Sequence, residues 1–151
     1  MTPDMGPPVW MRIPRIGVNA RVSQVSTANG AYEVPAWDIG HHSDSALPGQ
    51  PENSVYTGHV ETIDAGRVFS RLGQLSAGDR ISVFTDSHRT DWEVVDKVSV
   101  PNGEFGYIYP SGDRRITLYT CTGRFDPITR DYSHRLVITG RFVEAVDRRA
   151  R

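Results

Sequence analysis

The chain has 151 residues and a formal charge of −1, with 17 lysines and arginines against 18 acidic residues. That length suits one domain with a real core, since a chain of this size buries roughly two-thirds of its unfolded surface. The near-neutral balance excludes the basic footprint of a nucleic-acid binder and a polybasic membrane patch. No stretch approaches the roughly 20 apolar residues of a membrane-spanning helix, and the N-terminus lacks the apolar centre of a signal peptide.

In chain order the dominant pattern is short strands between turn residues. Segments 10–13, 31–34, 55–58, 81–85, 91–100, 116–121 and 135–143 are rich in β-branched and aromatic residues and read as strands. Segment 43–53, with Pro48, Gly49 and Pro51, reads as loop. Residues 65–72 are the clearest helical candidate, with Val68, Phe69 and Leu72 on one face. Leu75-Ser76-Ala77-Gly78-Asp79-Arg80 supplies a turn before one strand, and Pro101-Asn102-Gly103 closes another. Regularly spaced short strands predict an all-β barrel or sandwich. There are no repeats and no low-complexity tract.

The single cysteine, Cys121, has no possible disulfide partner in its own chain, so it is a buried filler, an intermolecular link, a ligand or a nucleophile. It ends the alternating run from Arg115, in which Ile116 and Leu118 share one face while Thr117, Tyr119 and Cys121 share the other. The thiol therefore need not enter the apolar layer. Val55-Tyr56-Thr57-Gly58-His59 reads as a strand running into a histidine, and Arg135-Leu136-Val137-Ile138-Thr139 as a strand opening with an arginine. A cationic imidazole or guanidinium favours the reactive thiolate, and an arginine can donate hydrogen bonds to the oxyanion of acyl transfer. A lone cysteine is also a common buried small apolar residue, and the residues alone leave both readings open.

Thr117-Leu118-Tyr119-Thr120-Cys121 resembles the sortase signature Thr-Leu-x-Thr-Cys at every position. The stretches Gly40-His41-His42-Ser43-Asp44-Ser45-Ala46-Leu47-Pro48-Gly49 and Asn53-Ser54-Val55-Tyr56-Thr57-Gly58-His59 are similar to the approach to the sortase catalytic histidine. His134-Arg135-Leu136-Val137-Ile138 is similar to the strand that carries the family's arginine, and residues 11–18 to its first strand. The order His, Cys, Arg and the spacings of 62 and 14 residues also match the family. The resemblance covers about residues 9–142.

This resemblance implies a closed eight-stranded β-barrel with short helices, and a catalytic domain over residues 9–145 between an extension, 1–8, and a tail, 146–151. It implies a cysteine transpeptidase acting on an LPXTG-like sorting signal. Cys121 would attack the threonine carbonyl, His59 would protonate the leaving amine and deprotonate the incoming one, and Arg135 would hold the oxyanion or align substrate. Thr120 is expected to bind substrate or to pack. Arg124 and Arg130 are rivals to Arg135, placed in a segment after Cys121 that reads as exposed loop. The partners expected are a sorting-signal peptide and an amine acceptor from cell-wall precursor or protein. The expected location is the extracytoplasmic face of a Gram-positive-type membrane, with the usual N-terminal tether missing from this chain. No organic cofactor is expected.

His41, His42, His59, His88 and His134 with Cys121 raise the question of a metal, but no paired-ligand spacing such as His-x-x-x-His occurs. Glu61, Asp64 and Glu104 lack the density of a calcium loop. No metal is expected. In subclass, the Gly-His-His stretch and the His-Arg-Leu-Val strand are most similar to classes D and E. Residues 121–126, Cys-Thr-Gly-Arg-Phe-Asp, resemble the Cys-Gly-Gly-x-Phe-Asp of class F, from which Thr122 departs. A hydrolytic cysteine peptidase and a noncatalytic β-barrel binding module remain the alternatives.

Overall fold

Eight strands close into a barrel in which strands such as Arg80–Phe84 and the first half of His88–Pro101 alternate inward apolar and outward polar residues, while the short strands Ile39–His42 and Asn53–Thr57 are buried on both faces. The computed structural model describes residues 4–28, 31–32, 34–60 and 67–149. Its strands are β1 (Trp10–Ile13), β2 (Val18–Val25), β3 (Thr27–Ala28), β4 (Ala31–Tyr32), β5 (Ile39–His42), β6 (Asn53–Thr57), β7 (Arg80–Phe84), β8 (His88–Pro101), β9 (Arg115–Asp126) and β10 (Asp131–Asp147). The barrel order is β1-β2-β5-β6-β9-β10-β8-β7, while β3 and β4 form a separate ribbon. The pairs β2/β5 and β6/β9 are parallel and the other barrel pairs antiparallel.

The interior is one cluster that includes Met11, Ile13, Tyr56, Ile81, Trp92, Ile116, Leu118 and Ile138. Register explains its wall: Leu136 opposes Thr120, Ile138 opposes Leu118 and Gly140 opposes Ile116, all pointing inward. Each large apolar side chain so buried contributes roughly 1.5–3 kcal/mol. The alternate residues face outward, which leaves the outer face of β9 and β10 free for chemistry. Among the described residues no helix is long and apolar enough to cross a membrane.

Several sequence expectations change. Segment 31–34 lies outside the barrel: Ala31–Tyr32 pairs with Thr27–Ala28, Glu33 lies outside the described residues, and Val34 is not in a strand. Two barrel strands, β2 and β5, take the places the sequence did not reveal. Of the expected helix at 65–72, residues 65 and 66 lie outside the described residues. The rest is turn leading into a 3-10 segment at Leu72–Gln74, closed by i→i+3 bonds such as Leu72 N–H to Phe69 O at 3.1 Å. So short a segment, with Gly73 in its middle, does not sustain an α-helix; its apolar spacing reflects burial of Phe69 and Leu72 against the core.

The segment after Cys121 is also not a loop. Strand β9 runs on to Asp126 and β10 begins at Asp131, before the arginine. The continuation depends on a bulge in which Gly123 and Arg124 together oppose Ser133. Gly123 has φ 86°, and a side chain there would strike Ser133 Oγ and His134 Nδ1.

Candidate active site

Cys121 and Arg135 are direct cross-strand partners in the β9/β10 pair, so both side chains stand on the outer face of the barrel wall. Cys121 is half-buried and free. Burial pushes its thiol pKa up; the Arg135 guanidinium pulls against that shift and the Asp131 carboxylate adds to it. The resting sulfur is thus a neutral thiol at neutral pH.

His59 is placed by register. In the parallel β6/β9 pair Thr57 lies beside Tyr119, two residues before Cys121, and His59 follows two residues after Thr57. Strand β6 itself stops at Thr57, and three contacts fix the chain beyond it. The buried Thr120 hydroxyl donates to Gly58 O at 2.7 Å, and Phe69 N–H donates to His59 O at 3.0 Å. Gly58 is so closely overlaid that a Cβ would lie 2.7 Å from Val68 Cγ1 and 2.8 Å from Phe69 Cδ2. Cys121 and Arg135 are thus paired across β9 and β10, and His59 follows the end of β6, the strand on the other side of β9. Thr120 faces the opposite way, into the barrel, with its proton committed to Gly58.

Arg135 is held from several sides. Its Nη2 donates to Asp131 Oδ1 at 3.0 Å and Oδ2 at 3.1 Å, and Nη1 donates to Tyr132 O at 3.2 Å and His134 O at 3.1 Å. The Arg135 side chain is 17% exposed and that of Asp131 42%. Arg124 and Arg130, the rivals, lie in the exposed outer half of the hairpin, and Arg130 takes a left-handed φ of 59° at its turn.

An aromatic group lines the wall beside the thiol. The Tyr119 ring, two residues before Cys121 on the same face, lies 5.1 Å from the Tyr107 ring, and its hydroxyl is 2.8 Å from His42 Nε2. Tyr107 sits in the segment between β8 and β9. Asn53 pins that segment by donating from Nδ2 to Tyr107 O at 2.8 Å and Tyr109 O at 3.1 Å, while accepting from Thr117 Oγ1 at 2.7 Å. Burial lifts the Tyr107 phenol to about 12, against the pull of Arg135, so it remains a proton donor. Burial lowers His42 to about 4, and that imidazole is neutral at physiological pH.

Sequence reasoning passed over Asp131, Tyr107, Asn53 and the role of His42. His42 entered there only within the Gly-His-His stretch and as a metal candidate; its neighbour His41 turns to the other side, to Gln24 Oε1 and Ala46 O, both at 2.9 Å. The remaining histidines are dispersed too, His88 bonding Ser87 Oγ and His134 bonding Ser133 Oγ, each at 2.7 Å. Among the described residues no three His, Cys, Asp or Glu side chains gather as metal ligands. Glu61 and Asp64 lie outside the described residues.

The family model described as Sortase domain matches residues 11–143. No curated protein matches the chain. Among solved structures, the fold is similar to sortase C1 from Streptococcus agalactiae, with 27% identity, a TM-score of 0.73, and 90% of this chain and 67% of that chain covered. Sortase E1 from Streptomyces coelicolor, solved with a tripeptide in its active site, is 21% identical at TM-score 0.73, covering 98% of this chain and 94% of that one. A Clostridium perfringens sortase D5 transpeptidase is 21% identical at TM-score 0.74, covering 91% and 79%. The last two likenesses are of fold alone.

Proposed function

The chain belongs to the sortase family of cysteine transpeptidases, and from that premise we propose that Cys121 is its nucleophile, His59 its acid and base, and Arg135 its oxyanion or substrate holder. The observation that supports this reading is the cross-strand pairing of Cys121 with Arg135, on the strand next to the one that leads into His59.

The reaction proceeds in two acyl transfers. As His59 takes up the thiol proton, Cys121 Sγ bonds to the carbonyl carbon of a threonine in the sorting signal. The resulting oxyanion is stabilised by the Arg135 guanidinium. The C–N bond then breaks, His59 returns the proton to the departing amine, and a thioester remains. An incoming amine attacks that carbon, His59 accepts its proton, and Sγ leaves to regenerate the thiol, as microscopic reversibility requires. One amide has been exchanged for another with no net redox change. A raised thiol pKa suits this cycle, because a protonated resting cysteine resists adventitious alkylation and oxidation.

The substrate is an LPXTG-like signal cleaved after its threonine, and the acceptor an amine of cell-wall precursor or of another protein. The enzyme works at the extracytoplasmic face of a Gram-positive-type cell, through a catalytic domain spanning 9–145 flanked by the short segments 1–8 and 146–151. Thr120, expected to bind substrate or to pack, donates its hydroxyl hydrogen bond to Gly58 O from inside the barrel, and its part in this reading is to hold the chain that leads into His59.

Intact-mass analysis after incubation with Leu-Pro-x-Thr-Gly and Leu-Ala-x-Thr-Gly peptides tests the proposal, with and without a glycine-based amine, beside Cys121→Ala. An acyl adduct on wild type only, discharged by amine to ligated peptide, supports it. Discharge to free acid at a rate indifferent to amine would make the protein a hydrolytic peptidase. Absence of adduct and cleavage with both peptides would remove the assignment of this substrate class.

A further inference from the structure

Arginine 135 needs a fixed geometry to serve a tetrahedral intermediate, yet an arginine side chain is long and rotamer-rich, and β10 alone does not fix it. The brace comes from four residues back along the same strand. Asp131 takes both Nη2 hydrogens, at 3.0 and 3.1 Å, and the backbone carbonyls of Tyr132 and His134 take those of Nη1. Among the described residues this leaves Nε–H as the guanidinium donor without a protein acceptor. Both Nη groups are thus turned toward the hairpin, and the guanidinium is held in one orientation.

We propose that Asp131 is a positioning residue for the acyl-transfer reaction, holding the Arg135 guanidinium in the orientation in which it meets the substrate across from Cys121. Asp131 can do this because of the hairpin's construction. The bulge at Gly123 and Arg124 opposite Ser133 bends β9 and β10 between Cys121 and the tip, while β10 itself keeps unbroken alternation, so residues 131, 133 and 135 share the outer face. Asp131 remains paired with Asp126 at the base of the turn, where Arg130 N–H bonds Asp126 O at 2.7 Å. The carboxylate therefore sits on the paired strand, at the edge of the turn, rather than on the turn itself.

The same ion pair does little to hold the fold. It is partly exposed, and such pairs are near-neutral for stability. A bidentate, half-buried pair that adds little stability but sits against the nucleophile's partner has its effect on chemistry. It also has a cost there, since the Asp131 charge opposes thiolate formation at Cys121 while Arg135 favours it. Removing Asp131 should thus help ionise the thiol and still slow the reaction. A purely structural role does not produce opposite signs of this kind.

The inference rests on the proposed role of Arg135, and the experiment separates the two. Asp131→Asn, Asp131→Glu, Arg135→Gln and the double variant Asp131→Asn/Arg135→Gln are compared with wild type for kcat and KM of peptide-to-amine transfer. The pH dependence of Cys121 alkylation by iodoacetamide is measured alongside. Asp131→Asn is expected to lower kcat about tenfold with KM changed less than about twofold, and Asp131→Glu to restore most of it. The alkylation profile of Asp131→Asn should move to lower pH, and Asp131→Asn should have no further effect once Arg135 is Gln. Unchanged or raised turnover in Asp131→Asn, or a loss confined to KM, overturns the positioning role while leaving Arg135 in place. Full turnover in Arg135→Gln overturns the role of Arg135 and this inference with it.

Discussion

Thr120 and Gly58 are joined by a buried hydrogen bond of 2.7 Å, hydroxyl to carbonyl, which ties the residue before the cysteine to the residue before the histidine. The two lie on neighbouring parallel strands, and the bond falls one residue beyond the last paired position of β6. It extends the β6/β9 alignment by a side chain where the backbone ladder has ended.

Removing that hydroxyl leaves a buried carbonyl without its partner. Thr120→Val should destabilise the protein by about 1–3 kcal/mol in denaturant unfolding and slow acyl-adduct formation, whereas Thr120→Ser should keep most of both. Equal losses in the two variants would mean that methyl packing, not the bond to Gly58, is what Thr120 contributes.

Gly58→Ala makes a different demand on the same corner. The new methyl must displace Val68 or Phe69, the latter fully buried, at an expected cost of about 1–3 kcal/mol. Because His59 is the next residue, adduct formation should fall further than the loss of folded protein accounts for. Wild-type melting of Gly58→Ala would show that the two side chains yield freely.

How much of this was legible in the sequence depends on what the residues could signal. The outward placement of Cys121 and the inward placement of Leu118 follow from alternation, and both hold in β9. Strand β2 was hidden because its buried residues, Val18, Val22 and Val25, are spaced like a helix stripe rather than alternating. Strand β5, Ile-Gly-His-His, has one large apolar residue and is buried on both faces by its neighbours. The brace from Asp131 to Arg135 arises from the bend of a bulged hairpin, and no residue spacing specifies such a bend. The bond between His42 and Tyr119 joins residues 77 apart through barrel order, which local pattern cannot express.

His42 gives the protein an acid limit. Its imidazole is held to about 4 in the fold, chiefly by burial, against an ordinary value of 6.5; Asp44 raises it and His41 lowers it. His41 is also lowered by burial. Between these values the unfolded chain binds protons that the folded chain refuses, so stability is full above about pH 6.5 and declines as pH falls toward 4. The His42 share of that decline is up to about 3 kcal/mol. Denaturant midpoints at pH 7 and pH 4.5 should differ clearly in wild type and less in His42→Gln, which can still bond Tyr119. An equal decline in both would assign the acid sensitivity to His41 or to carboxylates.

The guanidinium opposite Cys121 should be visible in the thiol itself. Burial and Asp131 raise the Cys121 pKa while Arg135 lowers it, so alkylation of wild type should rise with pH to a midpoint above that of an ordinary thiol, near 8.5. Arg135→Gln should move that midpoint higher still, because the cation that favours thiolate is gone. Arg124→Gln and Arg130→Gln, in the exposed outer half of the hairpin, should leave both the profile and peptide transfer within about twofold of wild type. In transfer assays Arg135→Gln should lose about 10²-fold or more in kcat. A midpoint that moves with Arg124 or Arg130 instead would place one of those cations at the thiol and remove Arg135 from the site.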